Sequence, residues 1–165
     1  MPNVKEHEMV FLIKTNKLLQ KDDASVKISE VIQDKIAVKN VLTFYNLSKL
    51  YNIAFISESS LLYIERCFPM VCETQNFLHL EFSIVAKILS SSELNIHSEV
   101  EIFLALTKWL KHNSEERSKY AEQFLIKVRF SLLSEQALKY ISNCDLIFSK
   151  KEDYVRLIKT VSANK

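Results

Sequence analysis

Between residues 94 and 133 the chain sets apolar positions against polar ones with the 3.6-residue period of a helix. Ile102, Phe103, Leu106, Trp109 and Leu110 form one apolar stripe; Tyr120, Ala121, Phe124, Leu125 and Val128 form a second. Each stripe has its own start signal. Ser98 followed by Glu101 has the S-x-x-E form of a capping box, in which each side chain satisfies a free backbone N–H of the other residue. Asn113 and Glu116 repeat that signal. The pattern predicts helix, tight turn, helix.

The same period predicts further helices upstream. Val4, Met9, Val10, Leu12, Ile13, Leu18 and Leu19 share one broad face, and Asp23 is a good N-cap for a second helix carrying Val26, Ile28, Val31, Ile32 and Ile36. A third helix is expected over residues 38–51, with Val41, Leu42, Phe44, Tyr45, Leu47, Ser48 and Tyr51 on its buried and half-buried faces. Asn52 should stop it, because Asn tolerates the left-handed conformation that often ends helices. A fourth helix starts near Ser57 and carries Leu61, Leu62, Ile64, Cys67 and Phe68. Pro69 should kink or end it near Cys67, since proline lacks a donor and clashes with the preceding turn.

Residues 76–78 read as a short connector. Residues 81–89 read as a compact helix aligned on Phe82, Val85, Ala86 and Leu89, closed by Ser90, Ser91 and Ser92. Downstream, Ser134 is an N-cap candidate for a helix of little more than two turns carrying Leu138 and Ile141. Ser149 starts a last helix with Tyr154, Val155, Leu157, Ile158 and Val161. The expected fold is all-α, a series of antiparallel helix pairs with short connections.

Composition sharpens this. The chain contains Gly 0, where average usage would give about eleven in this length. Tight primed hairpin turns usually need Gly or Asn and phosphate-cradling loops need Gly, so a β-rich fold is disfavoured and the glycine-bearing dinucleotide fingerprint and P-loop are excluded. With 165 residues, one domain can bury roughly 70% of its unfolded surface. The formal net charge of +2 comes from residues scattered along the chain and leaves no nucleic-acid footprint. No apolar run approaches the roughly 20 residues that span a bilayer, and the polar start reads as no signal peptide. Cys67, Cys72 and Cys144 have neither disulfide nor zinc spacing, so a reducing compartment is expected, cytoplasmic or nuclear.

Candidate chemistry is sparse. His7, His79, His97 and His112 do not pair with one another or with cysteine at metal-ligand spacing. The serines cluster at helix starts, where their hydroxyls cap, and Glu99, Glu101, Glu115 and Glu116 suit the positive ends of helix dipoles. Trp109 belongs to an apolar face. Arg129 ends a helix, where it caps carbonyls or pairs with an acidic residue of another helix. A small enzyme built from His97, Glu101 and His112 is the reading from a different class. The residues themselves describe a helical interaction module with no catalytic, cofactor-binding or metal-binding set.

From residue 89 to residue 141 the chain resembles the BACK domain, the helical region between the BTB and Kelch parts of Kelch-like proteins. The matching positions are Leu89, Ser90, Glu93 and Leu94, then Ser98, Glu99, Val100, Phe103, Ala105, Trp109 and Leu110. Arg117 and the run Val128, Arg129, Phe130, Ser131, Leu132, Leu133 complete the match. Asn40, Tyr51 and Phe68 mark what resembles the first BACK helix pair. Before it, Phe11, Leu12, Lys17, Leu18, Leu19, Gln20, Asp22, Asp23, Val31 and Ile32 resemble the last two helices of a BTB domain.

The resemblance implies a partial BTB-like segment over residues 1–37 and a BACK domain over residues 38–165. The BTB front half and the glycine-rich Kelch blades have no counterpart in this sequence. Members of the family typically act as substrate adaptors for cullin-RING ubiquitin ligases, chiefly with the third cullin. The BTB domain and first BACK helices hold the cullin; the propeller holds the substrate. The implied role is therefore a non-enzymatic scaffold that contributes to cullin binding and positions a substrate-binding domain. The alternative is a shortened product that competes with intact adaptors, and other BTB or Kelch proteins are further candidate partners.

On the first helix pair, Phe44, Tyr45 and Tyr51 offer more aromatic surface than one helix needs to bury, which makes them the candidate partner contacts. The alternative is that all three pack against neighbouring helices. Ser98, Glu99, Trp109, Arg117, Val128 and Arg129 are the signature positions expected to be structural. Phe11, Leu12, Leu18 and Leu19 are expected to form a partly uncovered apolar patch.

Overall fold

Helices account for every regular element among the described residues of the computed structural model, which are 30–125 and 127–142 together with 7, 8, 10, 11, 13–15 and 27. In chain order they are α1 (Val41–Tyr51), α2 (Ala54–Arg66), α3 (Phe68–Cys72), α4 (Gln75–Leu78), α5 (Phe82–Leu89), α6 (Glu99–His112), α7 (Ser114–Arg117), α8 (Ala121–Leu125) and α9 (Glu135–Ser142). Two 3-10 turns, Ser118–Tyr120 and Phe130–Leu132, interleave with them. The described residues are all-α, the class that the lack of glycine favours. It divides into two compact units, Met1–Asn76 and Phe77–Lys165.

The first unit is built on the α1–α2 hairpin. Asn52 ends α1 at φ 59° and ψ 44°, the left-handed conformation expected of it. The Ile53 N–H then reaches back to the Ser48 carbonyl at 2.8 Å, the six-to-one bond of a Schellman stop. That turn folds α2 back along α1. Ile13, Ile32, Phe44 and Ile56 form a buried cluster, with Ile36, Leu47, Tyr51 and Ile53 packed on it. Asn40 stands at the α1 N-cap position without capping. Its Oδ1 accepts instead from the Ala37 N–H at 2.8 Å, and its Nδ2 donates to the Lys35 carbonyl at 3.0 Å. One buried amide thus fixes the turn that delivers the chain into α1.

The expected boundaries shift in two places here. The fourth predicted helix, α2, starts at Ala54 rather than near Ser57. It ends at Arg66 with the Cys67 N–H on the Tyr63 carbonyl, and Pro69 enters the first turn of α3, where a missing donor costs nothing. Residues 76–78, expected as a connector, lie in the single helical turn α4, and both Phe77 and Leu78 are buried.

In the second unit α5 and α6 follow the predicted stripes. The buried face of α6 is Ile102, Phe103, Ala105, Leu106, Trp109 and Leu110. The predicted partner helix is broken into three pieces: α7, the 3-10 turn Ser118–Tyr120, and α8. Tertiary packing explains the break. The 3-10 turn carries Tyr120, whose ring stacks on Phe82 with centroids 4.1 Å apart and planes 14° off parallel. Phe124 meets Trp109 edge-on at 5.3 Å. The Ser134 hydroxyl accepts from the Ala137 N–H at 3.2 Å and starts α9, as its position implies. The helix predicted from Ser149, and Leu12, Leu18 and Leu19 of the predicted apolar patch, lie outside the described residues; Phe11 is 67% exposed.

Candidate functional site

The aromatic residues of the first helix pair lie mostly inside it. Phe44 is 1% and Tyr45 2% exposed, while Tyr51 is half-buried against the core cluster. Burial also pushes the Tyr45 phenol above its ordinary pKa. Phe44 and Tyr45 therefore cannot be direct partner contacts in this structure; their large apolar areas are already spent on closing the α1–α2 core. What the pair turns outward is a different set of large apolar residues: Leu50 at 71%, Phe55 at 45% and Leu62 at 47% exposure. Phe55 and Leu62 are two turns apart on one face of α2, and Leu50 sits in the last turn of α1, across the Asn52 stop. Sequence reasoning missed Phe55 because it began α2 too late, and it had no measure of which apolar residues exceed what the core can hold.

The signature residues do come together, in the second unit. The Ser98 hydroxyl caps α6, accepting from the Val100 N–H at 3.2 Å. Glu99 follows with only 4% exposure. Its carboxylate accepts from the Arg129 backbone N–H at 3.0 Å and from Arg129 Nε at 2.8 Å, and it pairs with a second guanidinium nitrogen. One carboxylate therefore holds both the backbone and the side chain of a residue 30 positions away. Val128, buried at 4%, lies next to this clasp. A buried carboxylate survives only when so paired.

At the other end of α6, Trp109 is 1% exposed. Its indole N–H donates to the Leu80 carbonyl at 2.9 Å. Arg117 donates from a guanidinium nitrogen to the Trp109 carbonyl at 2.8 Å and stacks 4.0 Å from the indole centroid. Burial lowers the Arg117 pKa, and Glu116 acts against that shift. Trp109 thus joins α6 to the α4–α5 connection and to α7. A cleft of about 610 Å³ opens beside it, lined among others by His79, Glu81, Phe82, Arg117, Lys119 and Tyr120.

The residues of the enzyme reading do not converge. His97 precedes α6 and its Nδ1 meets Glu101 at 3.3 Å, whereas His112 is the last residue of the helix and touches His79 edge-on at 4.9 Å. A helix of this length separates its ends by about 20 Å. Glu101 also departs from the expected capping box. It turns to His97 rather than back to the cap, and its Oε2 is buried without a hydrogen-bond partner. Among the described residues, no group of three or more His, Cys, Asp or Glu side chains is placed to hold a metal ion, and no helix is long and apolar enough to cross a membrane.

Within the second unit α6 is clasped near both ends, by Glu99 on Arg129 and by Arg117 on Trp109; within the first, the α1–α2 hairpin exposes Leu50, Phe55 and Leu62. The model of the BACK family, "BTB And C-terminal Kelch", matches residues 41–143, and the chain belongs to that family. It is 31% identical over 137 residues to the Kelch repeat and BTB domain-containing protein 3 of Mus musculus, covering 82% of this chain and 22% of that protein. Against the human Kelch repeat and BTB domain-containing protein 2 the identity is 29%, over 75% of this chain and 20% of the relative. Against human Kelch-like protein 28 it is 30%, over 65% and 19%. The chain therefore spans about a fifth of the length of the relatives it matches.

Proposed function

We propose that this chain is the non-enzymatic helical scaffold of a Kelch-like substrate adaptor for a cullin-RING ubiquitin ligase. In this reading it contributes to binding of the third cullin and sets the position of a substrate-binding domain. Residues 1–37 supply the closing helices of a BTB-like domain, and other BTB or Kelch proteins are further partners. The thiols Cys67 and Cys72 suit a reducing compartment, cytoplasmic or nuclear. The observation that carries the reading is the outward row Leu50, Phe55 and Leu62 on a helix pair whose interior is already filled, within the segment matched by the BACK model.

The test is calorimetric titration of the chain with the N-terminal domain of the third cullin. Phe55→Asp and Leu62→Asp should each weaken binding about tenfold or more, a loss of about 1.4 kcal/mol, with thermal stability unchanged. Leu132→Asp, at a 65% exposed leucine of the second unit, serves as control. No association with the cullin, or an affinity that neither α2 substitution alters, would overturn the proposal.

A further inference from the structure

The hydroxyl of Ser90 is engaged by a lysine that comes from far along the chain. Ser90 is exposed at the end of α5, where its backbone N–H closes the helix on the Ala86 and Lys87 carbonyls. Its Oγ donates to the Ala86 carbonyl at 2.7 Å and accepts from Lys127 Nζ at 2.9 Å. That contact spans 37 positions. An ammonium held against a neutral hydroxyl leaves most of its charge unanswered, because the hydroxyl offers only a lone pair. A phosphate on the same oxygen would answer it with charge-assisted hydrogen bonds.

The sequence around Ser90 supplies the second half of the case. Ser90, Ser91 and Ser92 are followed by Glu93, so only Ser90 of the three has a carboxylate three residues downstream. Glu93 is exposed in the irregular stretch that leads to α6, and a basic pocket in an acid-directed protein kinase can read it there. We propose that Ser90 is a phosphorylation site and that Lys127 receives the phosphate, fastening the end of α5 to the segment that carries Arg129. In the transfer, Ser90 Oγ attacks the γ-phosphorus of a nucleoside triphosphate held by the kinase. The new O–P bond replaces the β,γ-bridging bond, the nucleoside diphosphate leaves, and the hydroxyl proton passes to the kinase's base. A phosphate at a helix C-terminus is otherwise unfavourable, and Lys127, with Lys87 in the last turn of α5, opposes that penalty.

Ser98, Ser142 and Ser149 have the same downstream spacing to Glu101, Asp145 and Glu152. The Ser98 hydroxyl accepts from the Val100 N–H in the α6 cap, and Asp145, Ser149 and Glu152 lie outside the described residues.

The test treats the full chain with an acid-directed serine kinase and ATP, and maps the product by mass spectrometry. The expected result is phosphate on Ser90, absent from that position in Ser90→Ala and mostly lost from it in Glu93→Gln. Titration of the phosphorylated protein by phosphorus NMR then reads the pairing. The second phosphate ionisation should fall below its ordinary value of about 6 by about one unit, and return to it in Lys127→Met. Phosphate on other serines and none on Ser90, no incorporation, or a titration that Lys127→Met leaves unchanged would overturn the proposal.

Discussion

Removing the Arg129 guanidinium should expose how much of the second unit depends on one carboxylate. In Arg129→Met, Glu99 keeps the backbone N–H bond at 3.0 Å and loses the Nε bond and the ion pair. Hydrogen bonds to charged groups contribute about 1.5–3 kcal/mol each. The Arg129 side chain is 54% exposed, so solvent screens the pair and the lower end applies. The expected loss is about 1.5–2 kcal/mol, or about 3–8 °C in Tm for a chain of this size. Glu99→Ala should cost more, about 3 kcal/mol, because the Arg129 N–H is then left unpaired as well.

The decisive measurement is a double-mutant cycle with Glu99→Gln, using urea unfolding followed by circular dichroism. A coupling of about 1–2 kcal/mol is expected between groups in one network. Additive losses, within about 0.3–0.5 kcal/mol, would refute the reasoning. They would mean that Glu99 is held by its burial and the backbone bond alone.

The remaining predictions concern single residues elsewhere. The Tyr45 phenol has its pKa raised by burial, so the unfolded chain loses its proton first as pH rises. The resulting stability is complete below the ordinary tyrosine value of about 10 and is lost as pH climbs from there toward the folded value. Tyr45→Phe should therefore move the alkaline unfolding midpoint upward, read by tyrosine absorbance; an unmoved midpoint would show that Tyr45 does not govern that limb. Asn52→Ala should cost about 1 kcal/mol, since alanine resists the left-handed conformation, and Asn52→Gly should cost nothing measurable. Equal losses for the two in chemical denaturation would contradict the turn argument. Arg117→Lys keeps the charge but not the planar stack on Trp109. It should lower stability by about 1–2 kcal/mol and change the tryptophan emission, whereas wild-type values for both would place the guanidinium outside the clasp.

How much of this could be read from the residues depends on the range over which each feature is decided. Asn52 was legible as a stop because the left-handed turn is a property of one residue. The Ser98 cap was legible for the same local reason, but the reciprocal bond expected of Glu101 does not form, because the carboxylate turns to His97. Glu99 was legible only as a first-turn acid; its partner lies 30 positions on, and no period or cap signal connects them. Arg129 could be marked as something other than a solvated charge, without naming what it holds. Phe44 and Tyr45 show the opposite failure. Their residue type suits a binding surface and a core equally well, and only the closure of α1 on α2 decides between them. The exposed Leu50, Phe55 and Leu62 were hidden for different reasons: Leu50 lies off the α1 stripe, Phe55 precedes the expected start of α2, and Leu62 looks like any other member of its stripe.

The break in the helix after Asn113 has a consequence for how this region unfolds. A stretch made of a four-residue turn, a three-residue 3-10 turn and a five-residue helix falls far below the roughly 12–15 residues at which an isolated helix persists in water. None of its pieces can nucleate alone. Their order is borrowed from Phe82 and Trp109, through the stack on Tyr120 and the edge contact with Phe124. The segment thus cannot stay ordered once α5 and α6 unfold around those rings. Its amides should lose protection from exchange whenever those of α6 do.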